Sequence, residues 1–322
     1  MLTSFVCTQK ELKKVEDHEL KDYIKKRGYT LWINISNVDK DEMGILKEVF
    51  KIHPTTIEDI FSQQTVVKHE EFDAYKVIIY KGVKDIKKTT VSTYNIAFVI
   101  GANFVITVNG DKGGTIDELI KSSKRVNYLL TKGRKYFLHY VLDKEVDLLV
   151  KIKSQLNEEL SKLEIEFMTS QKKDTLAKVY SKELTFLELR HLSESITDLS
   201  LTLLKPAENK EERNLIPYFK DIYDHAIKTT NGYKSMIERM KGMEELYATM
   251  TSLKTNEAMR SLTIIMALMM PLTIITSFYG MNIPLPFQTH VQAWVVILVS
   301  MFLSALVMVI ISKRRGWIAG KD

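Results

Sequence analysis

The sequence is short of the residues that staple a fold and of those that break a chain. Cys7 is the only cysteine, so no intrachain disulfide is possible, and a reducing compartment is implied. Cys7 itself reads as a small buried hydrophobe. There are 6 prolines in 322 residues. Between Lys135 and Arg260 proline occurs only as Pro206 and Pro217, and glycine only as Gly232 and Gly242. No Gly-x-x-x-x-Gly-Lys-Ser/Thr run is present, which excludes a Walker-type ATP site. The histidines (His18, His53, His69, His139, His191, His225 and His290) are scattered without metal-ligand spacing. No constellation suited to catalysis is evident, so the chain is not read as an enzyme and no organic cofactor is implied. The net charge of +6 comes from Lys and Glu interspersed along helices. With no Arg-aromatic patch, nucleic acid is excluded as a partner. Met1–Lys10 reads as a strand followed by polar residues, not as a secretory leader.

Charge is also missing from two runs near the C-terminus, Leu262–Phe278 and Ala293–Ile311. Each, with its flanks, is long enough to cross the roughly 30 Å hydrocarbon layer as a helix, which makes membrane lipid a partner. Lys313-Arg314-Arg315 follows the second run, and Lys254 and Arg260 precede the first. By the positive-inside rule both flanks lie in the cytoplasm, with the Gly280–His290 loop outside. The expected organisation is a multi-pass inner-membrane protein with cytoplasmic termini. Residues 1–132 form a cytoplasmic mixed α/β domain and 133–260 long cytoplasmic stalk helices. A first transmembrane helix covers 261–279, an external loop 280–290, a second transmembrane helix 291–312, and a basic tail 313–322. The fold class is therefore α+β followed by a long α-helical stalk and two C-terminal membrane helices.

Within the first part, strands are expected at Thr30–Ile35, Tyr75–Tyr80, Tyr94–Ile100 and Phe104–Asn109, around one sheet. Helices are expected at Asp41–Ile52, Thr55–Ser62 and Thr115–Ser122. Gly101-Ala102-Asn103 signals a hairpin, and Gly113-Gly114 ends the last strand. Val146, Leu149, Val150, Ile152, Leu156, Leu160 and Leu163 recur at helical spacing. A break near Lys205-Pro206-Ala207-Glu208-Asn209 then separates two long helices from a third. The third starts near Ile216-Pro217 and meets no strong stop before Pro271. Such a helix cannot bury its apolar face alone and packs on its neighbours or on copies of itself.

The first apolar run carries a stripe. Asn256, Met259, Met266, Met270, Thr273 and Ser277 recur at steps of three, seven, four, three and four, with Leu262 and Thr263 in the gap. Along one side this is amide, then thioethers and Leu, then hydroxyls, then Asn282. In a ring of helices it would make a hydrophobic constriction between polar mouths, which gates by dewetting. Met and Thr are also ordinary fillers of a helix–helix seam, and the stripe alone leaves both readings open. Pro271 removes one helical hydrogen bond and can bend the helix, either as a tolerated kink or as a bend near the narrow part of a pore. Gly280 allows a tight turn, and Pro284 and Pro286 stiffen the loop that would hold Asn282 in place. A neutral amide can hold the water shell of magnesium, which dehydrates reluctantly, weakly enough to release it.

Tyr279-Gly280-Met281-Asn282 after Met270-Pro271-Leu272-Thr273 resembles the signature of the CorA family of divalent-cation channels. Thr255-Asn256-Glu257, Pro217 to His225, Ile52-His53-Pro54 with Glu58-Asp59, and Trp32-Ile33-Asn34 resemble further landmarks of that family, in order along nearly the whole chain. The resemblance implies a homopentameric funnel whose pore is lined by the first membrane helix. It implies an outer selectivity site at Gly280, Met281 and Asn282, and pore-lining roles for Asn256, Met259, Leu262, Met270 and Thr273, to which the periodicity adds Met266 and Ser277. It further implies regulatory magnesium bound by Asp59 and Asp221 across the subunit interface, with Glu58 and Asp143 at a weaker neighbouring site. On that footing Mg2+, with cobalt as a second cargo, is both transported and regulatory, and influx follows the membrane potential. One departure stands out: the loop Ile283–His290 holds no acid, where many family members carry one. That leaves a zinc or other transition-metal transporter of the same superfamily as an alternative. A membrane-anchored metal sensor or scaffold is an alternative of another class.

Overall fold

The computed structural model describes residues 2–8, 11–25, 28–36, 40–62, 65–87, 90–109, 114–170, 173–204, 213–283 and 291–316. The expected break at Lys205–Asn209, Gly113, and the loop residues Pro284, Pro286 and His290 lie outside these. The chain divides into two compact units, Met1–Met243 and Glu244–Asp322.

The first unit is built on a seven-stranded sheet. Its strands are β1 (Leu2–Cys7), β2 (Leu12–Val15), β3 (Thr30–Ser36), β4 (Lys68–Glu71), β5 (Tyr75–Lys87), β6 (Thr90–Gly101) and β7 (Phe104–Asn109), in the order β2-β1-β3-β7-β6-β5-β4. Only β3 and β7 pair in parallel; the other neighbours are antiparallel. Successive side chains point to opposite faces, and here both faces are covered. Leu31, Ile33 and Ile35 of β3, with Val77, Ile79, Ala97, Val99, Ile106 and Val108, form a core with Leu20, Leu46, Phe50, Ile57 and Ile60. Those last residues belong to α1 (Leu20–Lys25), α2 (Lys40–Glu48), α3 (Pro54–Phe61) and the turn after α2. On the opposite face the fully buried Trp32 stacks on Phe5 and meets Phe137, with both ring centroids 5.2 Å away. Its indole N–H donates to Thr107 Oγ1 at 3.1 Å, and the Thr107 hydroxyl donates to Asn34 Oδ1 at 2.7 Å. The landmark Trp32-Ile33-Asn34 thus ties β3 to β7 and to the helical layer.

All four expected strands exist, but β5 and β6 run well past Tyr80 and start before Tyr94. Their outer half carries Lys81, Lys84 and Asp85, which hide the alternation. β4, and the helix α5 (Ser123–Lys132) that follows α4 (Thr115–Ile120), are additional elements. Gly114 does not close a strand; it is the N-cap of α4. The start of α3 also differs from expectation. His53 is the cap, its Nδ1 accepting from Thr55 N at 3.4 Å, and Pro54 opens the helix where its missing N–H costs nothing. Glu58 and Asp59 therefore lie beyond the first turn, outside the region where the helix dipole favours acids most.

Three long helices follow: α6 (Arg134–Ser170), α7 (Lys173–Leu203) and α8 (Ile216–Tyr279). Val146, Leu149, Leu156, Leu160 and Leu163 are buried, as their spacing predicts, while Val150 and Ile152 are half-buried. Polar contacts fix the pairing of these helices. Arg239 of α8 forks onto Glu164 and reaches Asn157 Oδ1 at 2.7 Å, while Lys182 of α7 meets Glu159 of α6. Cys7 is buried, and burial pushes its thiol above the usual value despite a hydrogen bond with Thr131.

The second unit holds the C-terminal part of α8 and the final helix α9 (Ala293–Arg314). Both are long and apolar enough to cross a membrane. Almost none of either apolar window is buried in the single chain, as expected of segments whose solvent is lipid or another copy.

Candidate functional site

The end of α8 is set by a backbone contact. Gly280 N donates to Thr276 O at 2.9 Å, closing the last turn. A Cβ on Gly280 would stand 3.0 Å from that same carbonyl oxygen. A carbonyl inside a helix cannot yield cheaply, so glycine is the residue that fits. Met281 and Asn282 follow directly and are exposed.

The face that α8 presents can be read from its exposure. In the apolar part the half-buried positions are Ile264, Ala267, Leu268, Pro271, Leu272, Ile275 and Tyr279. At 3.6 residues per turn they fall on one side of the helix. On α9 the shielded positions are Ala293, Ile297, Met301, Ser304, Ala305, Met308 and Ser312, a face with several small residues of the kind that let membrane helices approach closely. Within this unit Arg260 also donates to the carbonyl of Gly316, beyond the end of α9. None of the predicted pore residues belongs to the shielded side. Asn256, Met259, Leu262, Met266, Met270, Thr273 and Ser277 are all exposed, the apolar ones between 49 % and 67 %. They centre about 200° around the helix from the shielded face, that is, opposite to it. Thr273 and Thr276 bond back to Met269 O and Leu272 O at 2.9 and 3.0 Å, so hydroxyls in this apolar stretch already have an acceptor.

The predicted regulatory acids lie in the first unit. Asp143 on α6 comes close enough to Asp221 on α8 to feel its charge, and His139, which feels both acids, packs on Tyr218 and Phe219. Burial, then the neighbouring Asp147, pushes the Asp143 carboxyl above the usual aspartate range; His139 opposes this and Asp221 adds to it. Burial holds the His139 ring below the usual histidine range, against the pull of Asp143 and Asp221. Asp221 is exposed, with His225 Nε2 3.9 Å from its carboxylate. These are hard oxygen donors of the sort magnesium accepts through its water shell. Glu58 is exposed on α3. The neighbouring Asp59 is half-buried and is engaged by Lys68 of β4, so a cation already stands on that carboxylate. Among the described residues no group of three or more His, Cys, Asp or Glu in one chain is arranged to hold a metal. His139, Asp147 and Lys68 were not singled out by the sequence. The i, i+4 spacings of His139 to Asp143 and Asp143 to Asp147 carried the signal for the first two.

Comparison with known proteins identifies the family. The family described as CorA-like Mg2+ transporter protein matches residues 28–314. The cobalt/magnesium transport protein CorA of Thermotoga maritima is 28 % identical over 291 residues, covering 89 % of this chain and 83 % of that one. Among solved structures, the complete CorA magnesium transporter of Methanocaldococcus jannaschii superposes with a TM-score of 0.81 at 21 % identity, covering 99 % of each chain. The full-length CmaX protein does so with a TM-score of 0.69 at 12 % identity, covering 95 % of this chain and 97 % of its own. A match that spans the sheet, the long helices and both apolar helices means that this chain belongs to the CorA-like Mg2+ transporter family, whose members carry divalent cations and are not enzymes.

Proposed function

We propose that this protein is a passive magnesium channel, also passing cobalt, that admits the ion down the membrane potential and closes when cytoplasmic magnesium rises. The observation that carries the reading is the exposed stripe of α8, turned away from the shielded face and ending at the Gly280 turn. Copies of the chain, five in the family pattern, surround an axis with this stripe facing inward. Asn282 and the Gly280–Met281 backbone form the outer ring, receiving a hydrated ion without a carboxylate. Met259, Leu262, Met266 and Met270 form the narrow apolar length, which conducts only when wet. A divalent ion gains about 4.6 kcal/mol per 100 mV of inside-negative potential, at about 2.3 per charge, so no ATP is needed.

For regulation, Asp59 and Glu58 of one copy face Asp143 and Asp221 of the next. Empty, such acids repel; bridged by magnesium, they hold neighbouring subunits together. Magnesium thereby favours the closed population, and its loss releases it. Asp221 lies on the same helix as the pore stripe, which gives the two sites a shared element. The basic residues Lys313 to Arg315 keep the flanks in the cytoplasm, together with the first unit.

Purified protein in liposomes loaded with a magnesium-sensitive dye tests this. An imposed inside-negative potential drives dye response in the wild type, and competition follows magnesium and cobalt over zinc. No flux under that potential contradicts the channel. Uptake that instead follows zinc and a pH gradient replaces magnesium with a proton-coupled transition-metal cargo, a reading with which the acid-free loop Ile283–His290 is compatible.

A further inference from the structure

Asp59 is held within its own chain by a placement that several contacts build. After α3, Thr65 Oγ1 donates to the carbonyl of Asp59 at 2.8 Å, and Asn95 Nδ2 donates to the carbonyl of Ser62 at 2.7 Å. These contacts turn the chain back toward β4. In the β4–β5 register Lys68 stands opposite Ile79 and Glu70 opposite Val77. Alternate residues of a strand share a face, and Ile79 and Val77 face the core beneath α1–α3. Lys68 and Glu70 therefore lie on the side that α3 covers. The Lys68 ammonium meets the Asp59 carboxylate and, at 3.0 Å, Glu70 Oε1. Its side chain is only 23 % exposed, against 37 % for Asp59 and 40 % for Glu70. Burial pushes the ammonium pKa down, but the hydrogen bonds to Asp59 and Glu70 outweigh this and hold it above the usual lysine value.

We propose that Lys68 is a tethered cation standing on the Asp59 carboxylate, which a divalent ion must displace to reach the regulatory site. The inference rests on the reading of Asp59 as a regulatory ligand. Glu70 gives the displaced ammonium a second carboxylate, so Lys68 has two stations and leaves Asp59 without becoming unpaired. The device raises the divalent concentration at which the site fills and sets the threshold for closure. It acts by competition and by repulsion of a second cation a few ångströms away, both of which a neutral side chain removes.

The test uses the full-length protein in detergent and Mn2+ as the probe, with free Mn2+ read by its electron paramagnetic resonance signal, so that no transport is involved. Asp59→Asn identifies the component of binding that belongs to this site. Lys68→Gln lowers the Mn2+ concentration that half-fills that component about two- to fivefold, the scale of one partly shielded ion pair. Glu70→Gln removes the second station and shifts it the other way. Lys68→Met, which keeps the apolar stem, repeats the Lys68→Gln result if the Gln variant folds poorly. In the Asp59→Asn background Lys68→Gln has no effect, because the two changes act through one contact. Binding at the Asp59 component that is unchanged or weakened in both Lys68 variants overturns the tethered-cation inference alone. Binding that does not respond to Asp59→Asn overturns the regulatory site itself, and the inference with it.

Discussion

At the residue scale the decisive features are small. Gly280 closes α8 with no room for a methyl group, since a Cβ would press within 3.0 Å of the Thr276 carbonyl. Gly280→Ala folds but displaces Met281 and Asn282, and liposome uptake of magnesium falls at least tenfold; uptake within a factor of two of wild type contradicts the role given to the turn. In the sheet, the buried Trp32 indole N–H donates to Thr107 Oγ1. Thr107→Val strands a buried indole N–H and costs roughly 1–3 kcal/mol of stability, measured by denaturant unfolding. The glycine was legible because a charge-free tripeptide between two apolar runs is rare enough to ask about. Lys68 was not, since its meeting with Asp59 depends on the whole β4–β5 register. Periodicity sees only local neighbours.

At the element scale the sequence was most informative where a period was sustained. The spacing in α6 named the buried leucines, and the stripe on α8 named a face that proves to lie opposite the shielded one. It was least informative at β4, whose Lys68-His69-Glu70-Glu71 has no strand propensity and is drawn into the sheet by its pairing to β5. Two predictions belong here. Leu262→Ser places a hydroxyl in the proposed apolar constriction and wets it. Uptake then persists at internal magnesium levels that shut the wild type, whereas the same change at Leu268, on the shielded face, leaves shut-off intact. The second concerns the joint between sheet and stalk. Glu145 of α6 is buried and accepts from Tyr94 at 2.8 and 2.9 Å and from Thr115 at 2.6 Å. Burial lifts its carboxyl above the ordinary glutamate value, although the hydrogen bonds from Thr115 and Tyr94 oppose this. A folded-state pKa above the unfolded one favours folding as pH falls through it, and the gain disappears as pH rises again. The melting temperature of the wild type relative to Glu145→Gln therefore climbs as the pH is lowered from neutral toward the ordinary glutamate range. A pH-independent difference contradicts the assignment.

At the scale of the whole molecule, one chain supplies only a part of each proposed site. Among the described residues of one chain no acids form a metal cage, and the stripe lines a pore only in the proposed ring, so a single sequence could name the residues but not how they meet. Asp221→Lys replaces a bridging acid with a fixed cation. It weakens shut-off by internal magnesium, seen as a several-fold higher inhibitory concentration in the liposome assay, while conduction at low magnesium remains.

The central claim is that the stripe of α8 lines a common axis. Because Cys7 is the only cysteine, a Cys7→Ser chain gives a clean background for single thiols. Cadmium, which prefers thiolate ligands, is then added to liposomes carrying Met270→Cys or Leu268→Cys. Cadmium block of magnesium flux through Met270→Cys, with Leu268→Cys spared, is the result expected of inward-facing thiols. Equal sensitivity at the two positions, or block at Leu268→Cys alone, would place the pore elsewhere.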